Sequence, residues 1–176
     1  ACFVLLAFGM TRSNAFTHND CTRKRNAQFS FPDCYAPPLN PDILLSQAHF
    51  VMSHDAATGY LDATHGVSGA TNLYAKNQIG SAYQQLEDGS RALDIRPKLL
   101  NNGTLVAHHG AITIPVSMEQ IVNDTIRWAR ENPDELVLIF HFHFAFDSGI
   151  SFDDYTATSM LSELYDALGI TYIQCE

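Results

Sequence analysis

Short apolar runs that alternate with amphipathic helical stretches predict an α/β protein with parallel strands joined by crossover helices. Polar residues collect where the apolar runs end: His54-Asp55, Asp94 with Arg96, His108-His109, then His141 and His143. That placement matches a TIM-type (β/α)8 barrel, in which the C-terminal strand ends carry the chemistry. A doubly wound sheet also gathers sites at strand ends, but no glycine-rich phosphate loop follows the first run here. About five strands are legible, against eight in a barrel of typically ~250 residues. The expectation is the N-terminal part of a barrel, inactive and marginally stable alone because the open sheet edge leaves apolar surface uncovered.

Taken in order, residues 1–15 read as the remnant of a signal peptide. The run from Ala1 to Met10 is apolar, too short to span a bilayer, and precedes Ser13-Asn14-Ala15, a small-residue cleavage site. A buried N-terminal strand is the alternative. Residues 16–47 are rich in Pro, Asn and Asp and read as an extended lead-in. Cys21 and Cys34 lie there, where a disulfide could staple a loop; Cys2 would leave with the signal, and Cys175 would need a partner beyond it.

Residues 48–176 form the barrel portion. His49 to Ser53 is a strand, and residues 56–80 are a Gly-, Ala- and Asn-rich loop containing His65. Ala82 to Leu86 is a short helix stopped by Gly89. Ala92 to Ile95 is a strand ending at Arg96-Pro97. Asn101-Asn102-Gly103 is a turn into a strand from Thr104 that ends in His108-His109-Gly110. Ser117 and Gln120 make a capping box for a helix with Met118, Ile121, Val122, Thr125 and Ala129 on one face. Asn132-Pro133 ends it. Leu136 to Phe144 is a strand in which His141 and His143 share one face. A last amphipathic helix from Ala157 to Leu168 is capped by Gly169, and a strand follows from Ile170 to Ile173.

The chain has 176 residues, 46% hydrophobic and 16% charged, with a net charge of -9. That is one domain or part of one, at roughly 100–200 residues per domain. The composition is too apolar for a disordered chain. An acidic balance argues against nucleic acid, which needs a basic face, and against a polybasic membrane patch. Asn102-Gly103-Thr104 and Asn123-Asp124-Thr125 are glycosylation sequons, which matter only on a secreted route.

Two His and an Arg at neighbouring strand ends suit phosphodiester cleavage by internal attack. One His accepts the proton of the attacking hydroxyl, the other protonates the leaving oxygen, and the guanidinium stabilises charge on the phosphoryl oxygens. Ser53-His54-Asp55, Gln85-Leu86-x-x-Gly89-x-Arg91-x-x-Asp94-Ile95-Arg96, Val106-x-His108-His109-Gly110 and Asn132-Pro133-x-Glu135 resemble the X region of phosphatidylinositol-specific phospholipase C. They are most similar to its bacterial-type, metal-independent branch and the related secreted phosphodiesterases. The resemblance runs from about residue 45 to 145.

The resemblance implies a distorted TIM barrel and attack by an inositol 2-hydroxyl, giving a cyclic phosphate and a diacylglycerol. It implies His54 as general base, His109 as general acid, and Asp55 as the carboxylate that assists the acid. Arg96 would replace calcium, with Asp94 beside it. The carboxylate that orients the base would come from the other half of the barrel. His108 and His109 point to opposite sides of their strand, and the family pattern selects His109. His141 and His143 are expected to contact substrate or pack inward. No cofactor or metal is expected. The expected partner is a phosphodiester, a phosphoinositide or another phospholipid at a membrane surface, with no nucleic acid and no transmembrane anchor, on a secreted protein.

Two other readings remain open. One is a metal-dependent barrel hydrolase using His54, Asp55, His141 and His143, since His-x-His on a strand is a metal-ligand spacing. The other is a non-catalytic binding protein that keeps the barrel.

Overall fold

The structure is a computed structural model that describes residues 2–6, 50–61, 75–132, 135–147, 154–170 and 172–173. The cleavage site, Cys21, Cys34, His65, Pro133, Cys175 and the whole lead-in of residues 16–47 lie outside these residues.

Among the described residues the fold is mixed α/β with two sheets. The first has the order β2-β3-β7-β1-β9. Strands β2 (Met52–Ser53), β3 (Ala92–Ile95) and β7 (Val137–His141) are parallel, with Ser53 opposite Leu93 and Ile95 opposite His141. Their C-terminal ends therefore lie on one side, which brings residues 54–55, 94–96 and 141 to a common rim. Each residue of β3 is buried, as befits a central strand covered on both faces.

One strand, β1, runs against the parallel set, and β9 beyond it runs the same way as β7. β1 (Cys2–Leu6) pairs antiparallel with β7, from Cys2 opposite His141 to Leu6 opposite Val137, and β9 (Tyr172–Ile173) pairs antiparallel with β1. Cys2–Leu6, within the apolar run at the start of the chain, thus form a strand. β9 is shorter than the strand expected from Ile170.

The second sheet, β6-β5-β4-β8, departs from the expected alternation. β4 (Pro97–Leu99) and β5 (Leu105–His109) form an antiparallel hairpin, and β6 (Ile112–Ser117) continues it antiparallel. β8 (Ala145–Phe146) pairs parallel with β4. His108 and His109 therefore sit on a hairpin strand rather than on a parallel barrel strand. The reason is local: the turn at residues 101–103 is tight, so the chain reverses without a crossover helix.

Among the described residues three α-helices accompany these sheets. α1 (Ala82–Glu87) is capped by Ser81, whose hydroxyl accepts from Gln84 N. α2 (Met118–Glu131) is capped by Ser117, which accepts from Gln120 N as the capping box predicts. Its face of Met118, Ile121, Val122, Thr125, Ile126, Trp128 and Ala129 is buried. Each large side chain there contributes about 1.5–3 kcal/mol by leaving water. α3 (Asp154–Leu168) begins before the expected Ala157 and ends at Gly169, which takes φ 67°.

Several residues of the sequence motifs serve this frame. Arg91 donates to Leu86 O and Ser90 O, pairs with Glu135 at 3.1 Å, and lies 4.3 Å over the Trp128 ring. Gln85 Nε2 donates to Ala56 O and Gly80 O. Together they fasten α1, α2 and the start of β7 to the rim.

Candidate active site

Asp55 is the hub of the rim. It follows β2 in a left-handed conformation, φ 51° and ψ 48°, tolerated by a short polar side chain. Its carbonyl begins the 3-10 turn at Ala56–Tyr60, accepting from Thr58 N at 2.8 Å. Its carboxylate is buried and points among four partners. Oδ2 lies 3.1 Å from His54 Nε2, 3.3 Å from His109 Nε2 and 2.7 Å from the Asn77 carboxamide nitrogen, which donates to it. Oδ1 lies 2.8 Å from Arg96 Nε. That N–H is directed at Asp94 Oδ1, 3.4 Å away, so Oδ1 of Asp55 is paired in charge without a hydrogen bond.

Asp94, buried at the end of β3, makes the second layer. Its Oδ2 accepts from Asp55 N at 3.1 Å and from Arg96 Nη2 at 3.1 Å, and lies 3.0 Å from His54 Nδ1. The sequence reading placed the carboxylate that orients His54 outside this chain; here Asp94 faces Nδ1. The guanidinium between two buried carboxylates offsets charge that would be costly to bury unpaired. His54 itself is open, with its side chain 63% exposed, against 26% for His109.

The segment 75–78 completes the rim and was not legible as a site element. Ala75 O meets His109 Nδ1 at 3.0 Å, and Gln78 Nε2 donates to His54 O. Thr58 Oγ1 accepts from Asn77 N and Gln78 N and so fixes the segment. Gly59 is needed beside it, because a Cβ there would lie 1.9 Å from Gly80 O. Asn77 carries no motif; only its place in a Gly- and Asn-rich loop after His54 hinted at it.

His141 and His143 do not share a face, contrary to the expectation. β7 ends at His141, and His143 lies beyond it, exposed, with φ 50°. His141 is fully buried, its Nδ1 3.0 Å from Ile95 O and its Nε2 bonded to the Tyr165 hydroxyl. The carbonyl only accepts, so Nδ1 carries the hydrogen and Nε2 accepts from Tyr165. Burial pushes its pKa down to about 4, against smaller upward effects of the Ile95 bond and Asp94. Both ring nitrogens are thus engaged away from the rim. His108 is likewise turned aside, its ring nitrogens facing Gly110 O and His143 O.

Among the described residues, the side chains close enough to hold a cation are His54, Asp55 and Asp94, with ligand atoms within 4.8 Å of one another. This is not the His-x-His set, and the Arg96 guanidinium already lies against both carboxylates.

No protein-family model matches the chain. Solved structures do. The chain is similar to the Staphylococcus aureus phosphatidylinositol-specific phospholipase C in two structures concerned with modulation of its membrane binding. One superposes with a TM-score of 0.60 at 19% identity over 73% of this chain and 40% of that one. The other gives 0.53 at 22% identity over 64% and 35%. A form of the same enzyme carrying pentafluoro-Phe gives 0.52 at 21% identity over 66% and 38%. The likeness is one of fold, and the chain spans 40% or less of the length of these enzymes.

Proposed function

We propose that this chain forms the N-terminal part of a secreted barrel phosphodiesterase of the phosphatidylinositol-specific phospholipase C type, with its catalytic groups at the rim around Asp55. One observation carries the reading: Asp55 Oδ2 lies within 3.3 Å of a nitrogen from each of two imidazoles, with a guanidinium against the other oxygen. Fold similarity to the S. aureus enzyme supports it.

The surroundings of the two rings support their roles in this reading. Ala75 O can only accept, so His109 Nδ1 carries a hydrogen, and His109, the less exposed of the two rings, turns Nε2 toward the Asp55 carboxylate. His109 is the proton donor. His54 keeps its Nδ1 hydrogen on Asp94 and turns Nε2 from Asp55 to the substrate hydroxyl beside the phosphate. That hydroxyl loses its proton to His54 as its oxygen bonds to phosphorus. The bond from phosphorus to the glycerol oxygen breaks, and His109 protonates the leaving oxygen. The products are a cyclic phosphate and a diacylglycerol. Arg96 faces the non-bridging oxygens, where negative charge grows in the transition state.

The test uses the full-length protein on phosphatidylinositol vesicles in excess EDTA. Activity is expected to survive the chelator, and Arg96→Lys to lose at least ~10-fold, because an ammonium cannot reproduce the planar fork. Loss of wild-type activity on chelation, restored by a divalent cation, would move the reading to a metal site on His54, Asp55 and Asp94.

A further inference from the structure

The two sequons stand in opposite settings. Asn102-Gly103-Thr104 is the tip of the β4–β5 hairpin, and residues 101–104 are all exposed. Leu100 N donates to Thr104 O and Gly103 N to Leu100 O, each at 2.9 Å, which closes the turn. Asn102 Oδ1 accepts from Thr104 N at 3.0 Å, an Asx-turn that folds the carboxamide toward the threonine. With Oδ1 occupied, the carboxamide nitrogen is the other polar atom of an exposed side chain. Gly103, at φ 81°, has open space where a Cβ would be.

Asn123-Asp124-Thr125 lies within α2. Asn123 is exposed, but Thr125 is fully buried and its hydroxyl donates to Ile121 O at 3.0 Å. The helix removes the hydroxyl that the acceptor pattern requires.

We infer that Asn102 is an N-glycan attachment site and that Asn123 in the folded protein is not. In the transfer, the Asn102 carboxamide nitrogen bonds to the first sugar carbon of a lipid-linked oligosaccharide. The bond from that carbon to the carrier's diphosphate oxygen breaks, and the amide proton is released. Pro97 stands opposite Ala107 and Leu99 opposite Leu105, so the ladder separates the turn from Arg96 and His109. A glycan at the tip leaves the catalytic rim uncovered. In the cell this rests on the secreted reading above; the site itself does not.

Folded, unglycosylated full-length protein is incubated with purified oligosaccharyltransferase and a lipid-linked oligosaccharide, and peptides are mapped by mass spectrometry. Modification at Asn102, abolished by Asn102→Gln or Thr104→Ala and below a tenth of that level at Asn123, is the expected result. An unmodified Asn102, or equal modification of Asn123, overturns the inference. Secretion in a eukaryotic host separates the two claims. A glycan at Asn102 behind a heterologous leader but not behind the native N-terminus supports the site and defeats the secreted reading.

Discussion

His54 and His109 meet carboxylates at the rim, whereas His108 and His141 meet backbone carbonyls and a tyrosine hydroxyl. The four carry the same side chain, and two of them are neighbours in sequence. What separates them is the chemistry facing each ring nitrogen. A carboxylate at an open rim orients an imidazole and leaves its nitrogen within reach of a reacting oxygen. At His141 a carbonyl and a hydroxyl in a sealed pocket hold one tautomer and keep the ring neutral, as its depressed pKa shows. The first pair suits chemistry; the second fastens β7 to β3 and α3, and the β5–β6 turn to the segment after β7.

The largest effect expected from this contrast is kinetic. His54→Ala and His109→Ala in the full-length protein should each lower phosphatidylinositol turnover at least ~100-fold, the usual scale for an acid–base group. Their melting temperatures should stay close to wild type, because both rings lie at the rim. An unfolded His109→Ala protein would merge the two pairs and break the comparison.

His141→Ala should do the reverse, costing about 3 kcal/mol in a urea titration through a cavity and two orphaned polar groups. The same residue predicts an acid response. Its folded pKa of about 4 lies below the usual 6.5, so between these values the unfolded chain binds the extra proton. Stability is fully present above pH 6.5 and falls as the pH drops toward 4, by roughly 3 kcal/mol from this group. His141→Phe should flatten that slope, and an unchanged slope would assign the acid response elsewhere.

The smallest effect concerns Asn77, whose carboxamide holds Asp55. Asn77→Ala removes one charge-assisted hydrogen bond and should lower turnover by about 10-fold, consistent with ~1.5 kcal/mol. Because the Asp55–His109 pair is loosened, the alkaline limb of the pH–rate profile should move. A uniform rate loss with no change in the profile would make Asn77 a structural residue only.

Much of this was legible in sequence where periodicity or spacing is physical. The Ser117 cap, the buried face of α2, the limits of β3 and the Gly169 cap follow from rules that act within a few residues. The rim residues were legible because polar groups at strand ends interrupt apolar runs. The second sheet was not, because proline conceals it. Pro97 opens β4, the strand position where a missing N–H is tolerated, and the exposed Pro115 sits in β6 at the sheet edge. The alternation of Phe and His from Phe140 to Phe144 promised one continuous strand, but the left-handed turn at His143 ends it. Asn77 acts through tertiary contacts with Thr58 and Asp55, for which no local pattern exists.

The most direct test of the acid assignment compares two leaving groups in the full-length protein. A lipid alkoxide needs a proton as it departs, whereas a nitrophenolate leaves without one. His109→Ala should therefore be at least ~100-fold slower than wild type on phosphatidylinositol and regain most of that loss on a nitrophenyl ester of inositol phosphate. His54→Ala should be slow on both. An equal deficit of His109→Ala on the two substrates would contradict His109 as the proton donor and, with it, the division of the histidines.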